Sequence, residues 1–259
     1  MKYNNNFLIV CESRTGSTML STALNQHPQV CMHGEILQPR QFNVKRRDDN
    51  LEFQGIDYKS PGAMIHMLRS KLLSDPVEYV KQFGFYVGDY KCAGFKFKYE
   101  ELSHELFEQA TRFVASQPEI KIIHLTRDNL WHRFRSGYIA KHITKKYNST
   151  TEQLDVDTTN KHTIDVDMIK RSFEKSIKWQ AQYTELFKQH DVLCITYENM
   201  MREPVATFDL VTKHLQVDSY DWKPKTKKIK QVNDHDLIEN MSQIIDKFST
   251  WNVSKYLND

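Results

Sequence analysis

The chain is poor in the residues that mark several protein classes, and each shortage excludes something. Only four cysteines occur in 259 residues, Cys11, Cys31, Cys92 and Cys194, and no two of them form a CxxC pair. That spacing argues against a zinc ribbon and against a disulfide-stapled scaffold, and three of the four lie in apolar or strand-like segments that suit buried thiols. The eleven histidines form no HExxH and no His–Cys grouping at zinc spacing, so no metal is expected. No apolar run approaches the ~20 residues of a membrane span. The first six residues lead straight into a short apolar segment without a secretory leader, so a cytoplasmic, soluble protein is expected. A formal net charge of +3 is too small to argue for a nucleic-acid partner. The eight glycines and seven prolines gather into no linker, and no repeat is present. One domain over residues 1–259 is the expectation.

What is present is an alternation of short apolar runs with helical patterns, which predicts an α/β fold around a mainly parallel sheet. Strands are expected at residues 7–11, 29–33, 93–97, 120–126 and 192–196, the last as a buried strand. Helices are expected at 17–25, 63–73, 77–83, 102–116, 130–143, 167–190, 204–215 and 236–248. Two polar stretches, 38–60 and 144–163, read as long surface loops of the kind that serve as lids or shape substrate pockets.

Two stretches carry chemistry. In VCESRTGSTML, residues 10–20, an apolar strand runs into Arg14, Thr15, Gly16, Ser17 and Thr18 and then at once into a helix. Backbone N–H groups and the positive end of a helix dipole converge at such a turn, which suits a phosphate or sulfate group. Against the Walker A pattern GxxxxGK[ST], Thr18 holds the hydroxyl position, but Ser17 stands where the lysine belongs. The missing lysine weakens the case for an ATP or GTP hydrolase. Arg14 supplies the charge instead, and a planar guanidinium suits a tetrahedral oxyanion. In IIHLTRDNLWHRFRSGYIA, residues 122–140, a second strand ends at Arg127, with Asp128 and Asn129 placed to cap the next helix. On that helix Arg133 and Ser136 share a face, while Arg135 points elsewhere.

Taken together, in this order, the two stretches resemble the sulfotransferases that use 3′-phosphoadenosine 5′-phosphosulfate (PAPS), especially their bacterial and carbohydrate-type branch. In the cytosolic branch the 5′-phosphosulfate loop reads approximately PKSGTTW. Here residues 13–19 lie in register with it, Arg14 standing for the lysine and Met19 for the tryptophan. The second stretch looks like the 3′-phosphate motif, and the bacterial pattern RxNLxxxxxSxxIA fits it with Arg127 and Ser136 as phosphate ligands. Weaker matches are GFKFKYEEL at 94–102, ITYENM at 195–200, and KKIKQVN with LIENMSQI near the end.

The resemblance implies a P-loop-like three-layer sandwich and transfer of a sulfuryl group from PAPS to an acceptor hydroxyl, with PAP as product and no metal. The acceptor could be a carbohydrate, a lipid-linked sugar or a small natural product. Arg14, Thr15, Gly16, Ser17 and Thr18 would hold the 5′-phosphosulfate. Lys228 and Lys230, in a lysine-rich run that otherwise reads as a solvated loop, would close on the 3′-phosphate.

The attacking hydroxyl must lose a proton, so a base is needed beside the phosphosulfate loop. Glu35 in CMHGEIL stands just after the second strand, and related enzymes use a glutamate there. It would need a raised pKa to serve well near neutral pH, which partial burial can provide. His33, on the same strand face, is the alternative base. Lys96 could reach the bridging oxygen but reads first as a solvated strand lysine. The rival classes are a P-loop small-molecule or nucleotide kinase and a nucleotide binder without a working base.

Overall fold

The computed structural model describes residues 3, 5–38, 52–53, 56–57, 61–145, 156, 159–222 and 232–250, with residues 52–53, 56–57 and 61–65 described by backbone alone. Most of both long polar loops, and the run holding Lys228 and Lys230, lie outside the described residues.

In chain order the strands are β1 (Asn6–Cys11), β2 (Val30–Met32), β3 (Glu52–Phe53), β4 (Ile56–Asp57), β5 (Cys92–Lys98), β6 (Lys121–Thr126) and β7 (Val192–Thr196). The helices are α1 (Ser17–Leu24), α2 (Pro61–Ser74), α3 (Pro76–Tyr79), α4 (Tyr99–Leu102), α5 (Glu108–Ala115), α6 (Leu130–Tyr138), α7 (Val166–Leu186), α8 (Tyr197–Arg202), α9 (Pro204–His214), α10 (Asp234–Leu237) and α11 (Met241–Thr250). Short π-helical turns continue α3 and α6 over Val80–Gly84 and Ile139–Ile143.

Five strands form one sheet in the order β2-β5-β1-β6-β7, every neighbouring pair parallel, and β3 and β4 make a separate antiparallel pair. The central strands are continuous apolar runs because a parallel sheet is covered on both faces. Alternation sorts their side chains into two layers. Leu8, Val10, Phe95, Phe97 and Ile122 pack with Tyr79, Val114, Trp179 and Tyr183 on one face. Phe7, Ile9, Cys11, Ile123 and Leu125 pack with Leu20, Leu24, Phe208 and Val211 on the other. The result is a sheet between two helical layers. A third cluster joins α6, α7 and α11 through Trp131, Phe134, Phe173, Ile244 and Phe248.

Three expectations are corrected. The strand at 192–196 lies at the sheet edge rather than buried in it, and Cys194 is exposed there. The helix expected at 102–116 is broken by a 3-10 turn at Glu105–Phe107, where His104 caps the chain through Leu106 N–H. The final helix is split because Ile238 turns extended and pairs with His162 in a parallel bridge.

The sheet order puts β1 between β5 and β6, so connections leave it in both directions. At such a switch point the carboxyl ends of the strands open a crevice. The loops after β1 and β6 both lie at that end.

Candidate functional site

Three strand tips build one basic cluster. After β1 the chain turns through Arg14, at φ 71, and Gly16, at φ 84, before α1 begins at Ser17. A positive φ is costly for arginine, so the turn holds strained backbone at the point where charge is concentrated. Gly16 is needed for a second reason. A Cβ there would lie 2.6 Å from Tyr197 Cδ2 and 2.9 Å from Met200 Cε. The first turn of α1 carries no side-chain cap, and its N–H groups and dipole face the loop.

The second tip brings Arg127 and Ser136. Arg14 donates from Nε and one Nη to Ser136 Oγ at 3.1 and 2.9 Å. Arg127 donates from Nη1 to the Arg14 carbonyl at 3.2 Å. The two motifs therefore meet, although 122 residues separate Arg14 from Ser136. A hydroxyl that accepts from a guanidinium keeps its own proton to donate.

The third tip brings a residue to which the sequence assigns no role. Tyr197, just after β7, lies under Arg127 with the guanidinium carbon 4.2 Å from the ring centroid. Its only signal was its place in ITYENM, one strand tip further along the sheet. Glu198 accepts from the N–H groups of Asp128 and Asn129 at 3.0 and 3.2 Å, which fixes the β6–α6 turn.

Charge in this cluster is biased positive. Burial holds the pKa of both Arg14 and Arg127 below the ordinary value, and their mutual repulsion adds to the effect on Arg127. Arg127 Nε is buried without a hydrogen-bond partner among the described residues, and Glu198 Oε1 is 3.9 Å away. Crowded buried cations with an unmet donor fit an anionic ligand such as a nucleotide phosphate.

A buried pair supports the loop from behind. Glu12, the residue after β1, holds Arg133 Nη1 at 2.9 Å and accepts from Ser176 Oγ of α7 at 3.1 Å. Burial pushes the Glu12 carboxyl up to about 6 despite the Arg133 charge. Arg135 instead turns to Asp234 and the Val232 carbonyl, tying α6 to the start of α10. Its divergence from Arg133 and Ser136 is the one the helical spacing predicts.

Glu35 lies beyond a Gly34 turn at φ 76, held against β5 by the hydrogen bond from Lys96 N to the Gly34 carbonyl at 2.8 Å. Alternation puts Lys96 and Lys98 on one face of β5 and Phe95 and Phe97 on the other. Lys96 Nζ is 2.7 Å from Glu35 Oε1, and Lys98 Nζ is 2.8 Å from Oε2. Glu35 is 8% exposed and Lys96 is 4% exposed, so the solvated reading of Lys96 is corrected. The expected rise of the Glu35 pKa is corrected as well. Burial pushes it up, but the two ammonium groups outweigh burial and leave it below the ordinary value. Glu101, from α4, completes the group at 3.4 Å from Lys98 Nζ. Cys11, at the end of β1, feels the Lys96 charge and so stands between this group and the loop.

His33 offers less as a base. Its Nε2 donates to the Tyr86 carbonyl at 2.9 Å, and burial lowers its pKa to about 4.

Among the described residues, no group of three or more His, Cys, Asp or Glu could hold a metal ion. No described helix is long and apolar enough to cross a membrane.

Comparison with known families matches residues 6–222 to the model described as the sulfotransferase family. No curated protein matches the chain. Among solved structures, a sulfotransferase from Alicyclobacillus acidocaldarius is 16% identical, with 94% of this chain and 92% of that one covered and a TM-score of 0.48. The sulfotransferase domain from the curacin biosynthetic pathway is 13% identical, with 95% and 90% covered and a TM-score of 0.47. Mouse sulfotransferase SULT7A1 complexed with PAP is 12% identical, with 98% and 66% covered and a TM-score of 0.43.

Proposed function

The chain belongs to the sulfotransferase family, and from that premise we propose that it moves a sulfuryl group from PAPS to an acceptor hydroxyl on a carbohydrate, a lipid-linked sugar or a small natural product. The observation that carries the reading is the contact of Arg14 with Ser136 and of Arg127 with the Arg14 carbonyl. One doubly phosphorylated nucleotide would explain why two distant arginines are crowded together in a buried place. Arg14 and the N–H groups of Thr15, Gly16, Ser17 and Thr18 would hold the 5′ end. Arg127 and Ser136 would hold the 3′-phosphate, with Lys228 and Lys230 as further candidates.

When bound, PAPS supplies an electrophilic sulfur and a phosphate leaving group. Glu35 takes the proton of the acceptor hydroxyl as its oxygen bonds to sulfur. Arg14 and the loop N–H groups stabilise the electron pair left on the departing phosphate. Charge placed in advance in a dry site supplies much of the rate in such a scheme.

Calorimetric titration with PAP in the absence of magnesium tests the donor assignment. Micromolar or tighter binding is expected, and binding of ATP with magnesium in preference to PAP would overturn it in favour of a kinase. Glu35→Gln tests the base. With labelled PAPS and a cell extract as acceptor source, it should lower product formation by 10²-fold or more while PAP affinity stays unchanged. Undiminished transfer would remove Glu35 from that role, and wild-type protein that binds PAP but transfers nothing would be a binder.

A further inference from the structure

The Glu35 group contains three members that the scheme above does not use, Lys96, Lys98 and Glu101, and Glu101 alone among them is a second carboxylate. Glu101 is 4% exposed, and its two carboxylate oxygens do different things. Oε2 accepts from the backbone N–H of Lys98 at 2.9 Å, the ordinary work of a helix-capping glutamate. Oε1 accepts from Gln38 Nε2 at 3.1 Å and lies 3.4 Å from Lys98 Nζ. Capping explains the first oxygen and leaves the second. Lys98 Nζ is shared between Glu101 and Glu35, whose Oε2 is 2.8 Å away.

We propose that Glu101 is a positioning residue for the transfer, drawing the Lys98 ammonium charge away from Glu35 and thereby making Glu35 a stronger proton acceptor. The inference rests on Glu35 being the base. Two ammonium groups against one carboxylate would leave Glu35 a poor base. Two carboxylates against two ammonium groups restore a neutral group in which Glu35 can accept a proton.

The charged and titratable groups facing Glu101 are Lys98 of β5, Glu35 of the turn after β2 and, through Glu35, Lys96; Cys11 of β1 also feels its charge. Burial pushes the Cys11 thiol up to about 12, so it stays neutral. Burial likewise pushes Glu101 up to about 7, with the Glu35 charge adding to the rise against the pull of Lys98. Repulsion between two carboxylates is reciprocal. If ionised Glu35 raises the proton affinity of Glu101, ionised Glu101 raises that of Glu35 by the same amount. Glu35 is thus strengthened as a base as the pH rises through the Glu101 titration.

The test is a ¹³C titration of the side-chain carboxyls in the full-length protein, which needs no acceptor. In the wild type, the Glu35 resonance should show its own acidic step and a second inflection near pH 7 from Glu101. Glu101→Gln should remove the second inflection and leave the acidic step of Glu35 in place, because Glu101 is already protonated and neutral when Glu35 titrates. Transfer to extract acceptors at pH 8 should fall about three- to tenfold, with PAP affinity within twofold of wild type. A Glu35 resonance that titrates in one step and ignores Glu101→Gln overturns the proposal, since a purely capping Glu101 would alter stability and leave that resonance alone. If Glu101→Gln fails to fold, the second inflection in the wild type decides. Gln38→Leu should then move that inflection to higher pH, and an unmoved inflection counts against the proposal. Loss of transfer in Glu35→Gln together with an uncoupled Glu35 titration sinks this inference alone. Full transfer by Glu35→Gln sinks the base assignment instead.

Discussion

Two charged groups sit near the same end of the sheet, and they are built on opposite plans. Around Arg14 and Arg127 the cations outnumber the carboxylates: Arg14 meets a neutral hydroxyl, and Glu198 stands 3.9 Å from Arg127. Around Glu35 the charges balance once Glu101 is ionised, with Lys96 and Lys98 set against Glu35 and Glu101 within 3.4 Å. A buried excess of one sign is costly alone and is relieved by a ligand of the other sign. A balanced group is satisfied from within, so its members tune one another. The first plan suits binding and the second suits proton transfer.

The contrast is broken most severely by removing one cation from each group. Arg14→Ala should abolish transfer and weaken PAP binding on the order of 100-fold. Its melting temperature should stay within a few degrees, because a crowded charge on strained backbone is being removed. Lys98→Met should do the reverse. It leaves buried Glu101 without an ammonium partner and Glu35 with Lys96 alone, and should cost about 3–5 kcal/mol in denaturant unfolding, while PAP affinity stays within about twofold. Similar stability losses in the two variants would erase the distinction.

A finer test uses pH. Glu101 binds its proton more tightly in the folded chain, up to about 7. Between about 4.5 and 7 the folded state therefore holds more protons at this site than the unfolded state, and stability is lost as pH rises. The site contributes a fall of up to about 3 kcal/mol across that window. Glu35 has the opposite sign: its lowered pKa contributes stability present above the unfolded value and lost as pH falls through the folded one. His33 and His124, lowered to about 4 by burial, make stability rise with pH from about 4 to 6.5. In Glu101→Gln the opposing fall should vanish, so stability measured by urea unfolding should climb more steeply over this range than in the wild type. The smallest effect is expected at Tyr197. Tyr197→Leu removes the face on which Arg127 lies, worth about 0.5–2 kcal/mol, and should weaken PAP binding a few-fold to about thirtyfold by calorimetry.

The strand, turn and helix around each arginine tip were legible because their parts are local. An apolar strand, a glycine turn and a helix start within a dozen residues around Arg14 and Gly16, and a strand end, a capping Asn129 and a helix follow one another as closely around Arg127 and Ser136. The balanced group was not legible, because its pattern has two meanings. Phe95, Lys96, Phe97 and Lys98 alternate as they would on a strand with one solvated face. Here both faces of β5 are covered, and the lysine face meets Glu35 and Glu101 from two other segments. Edge position misled in the same manner at 192–196, where an apolar run suggested burial and Cys194 lies exposed.

Residue order fixed the strand, turn and helix at each arginine-bearing tip, since φ preferences, caps and dipoles act within a few residues. The alignment of those tips, the stacking of Arg127 on Tyr197 and the sign of the Glu35 pKa shift came from assembly of the sheet. Electrostatic free energy depends on distance and burial, and both are set by segments far apart in the chain.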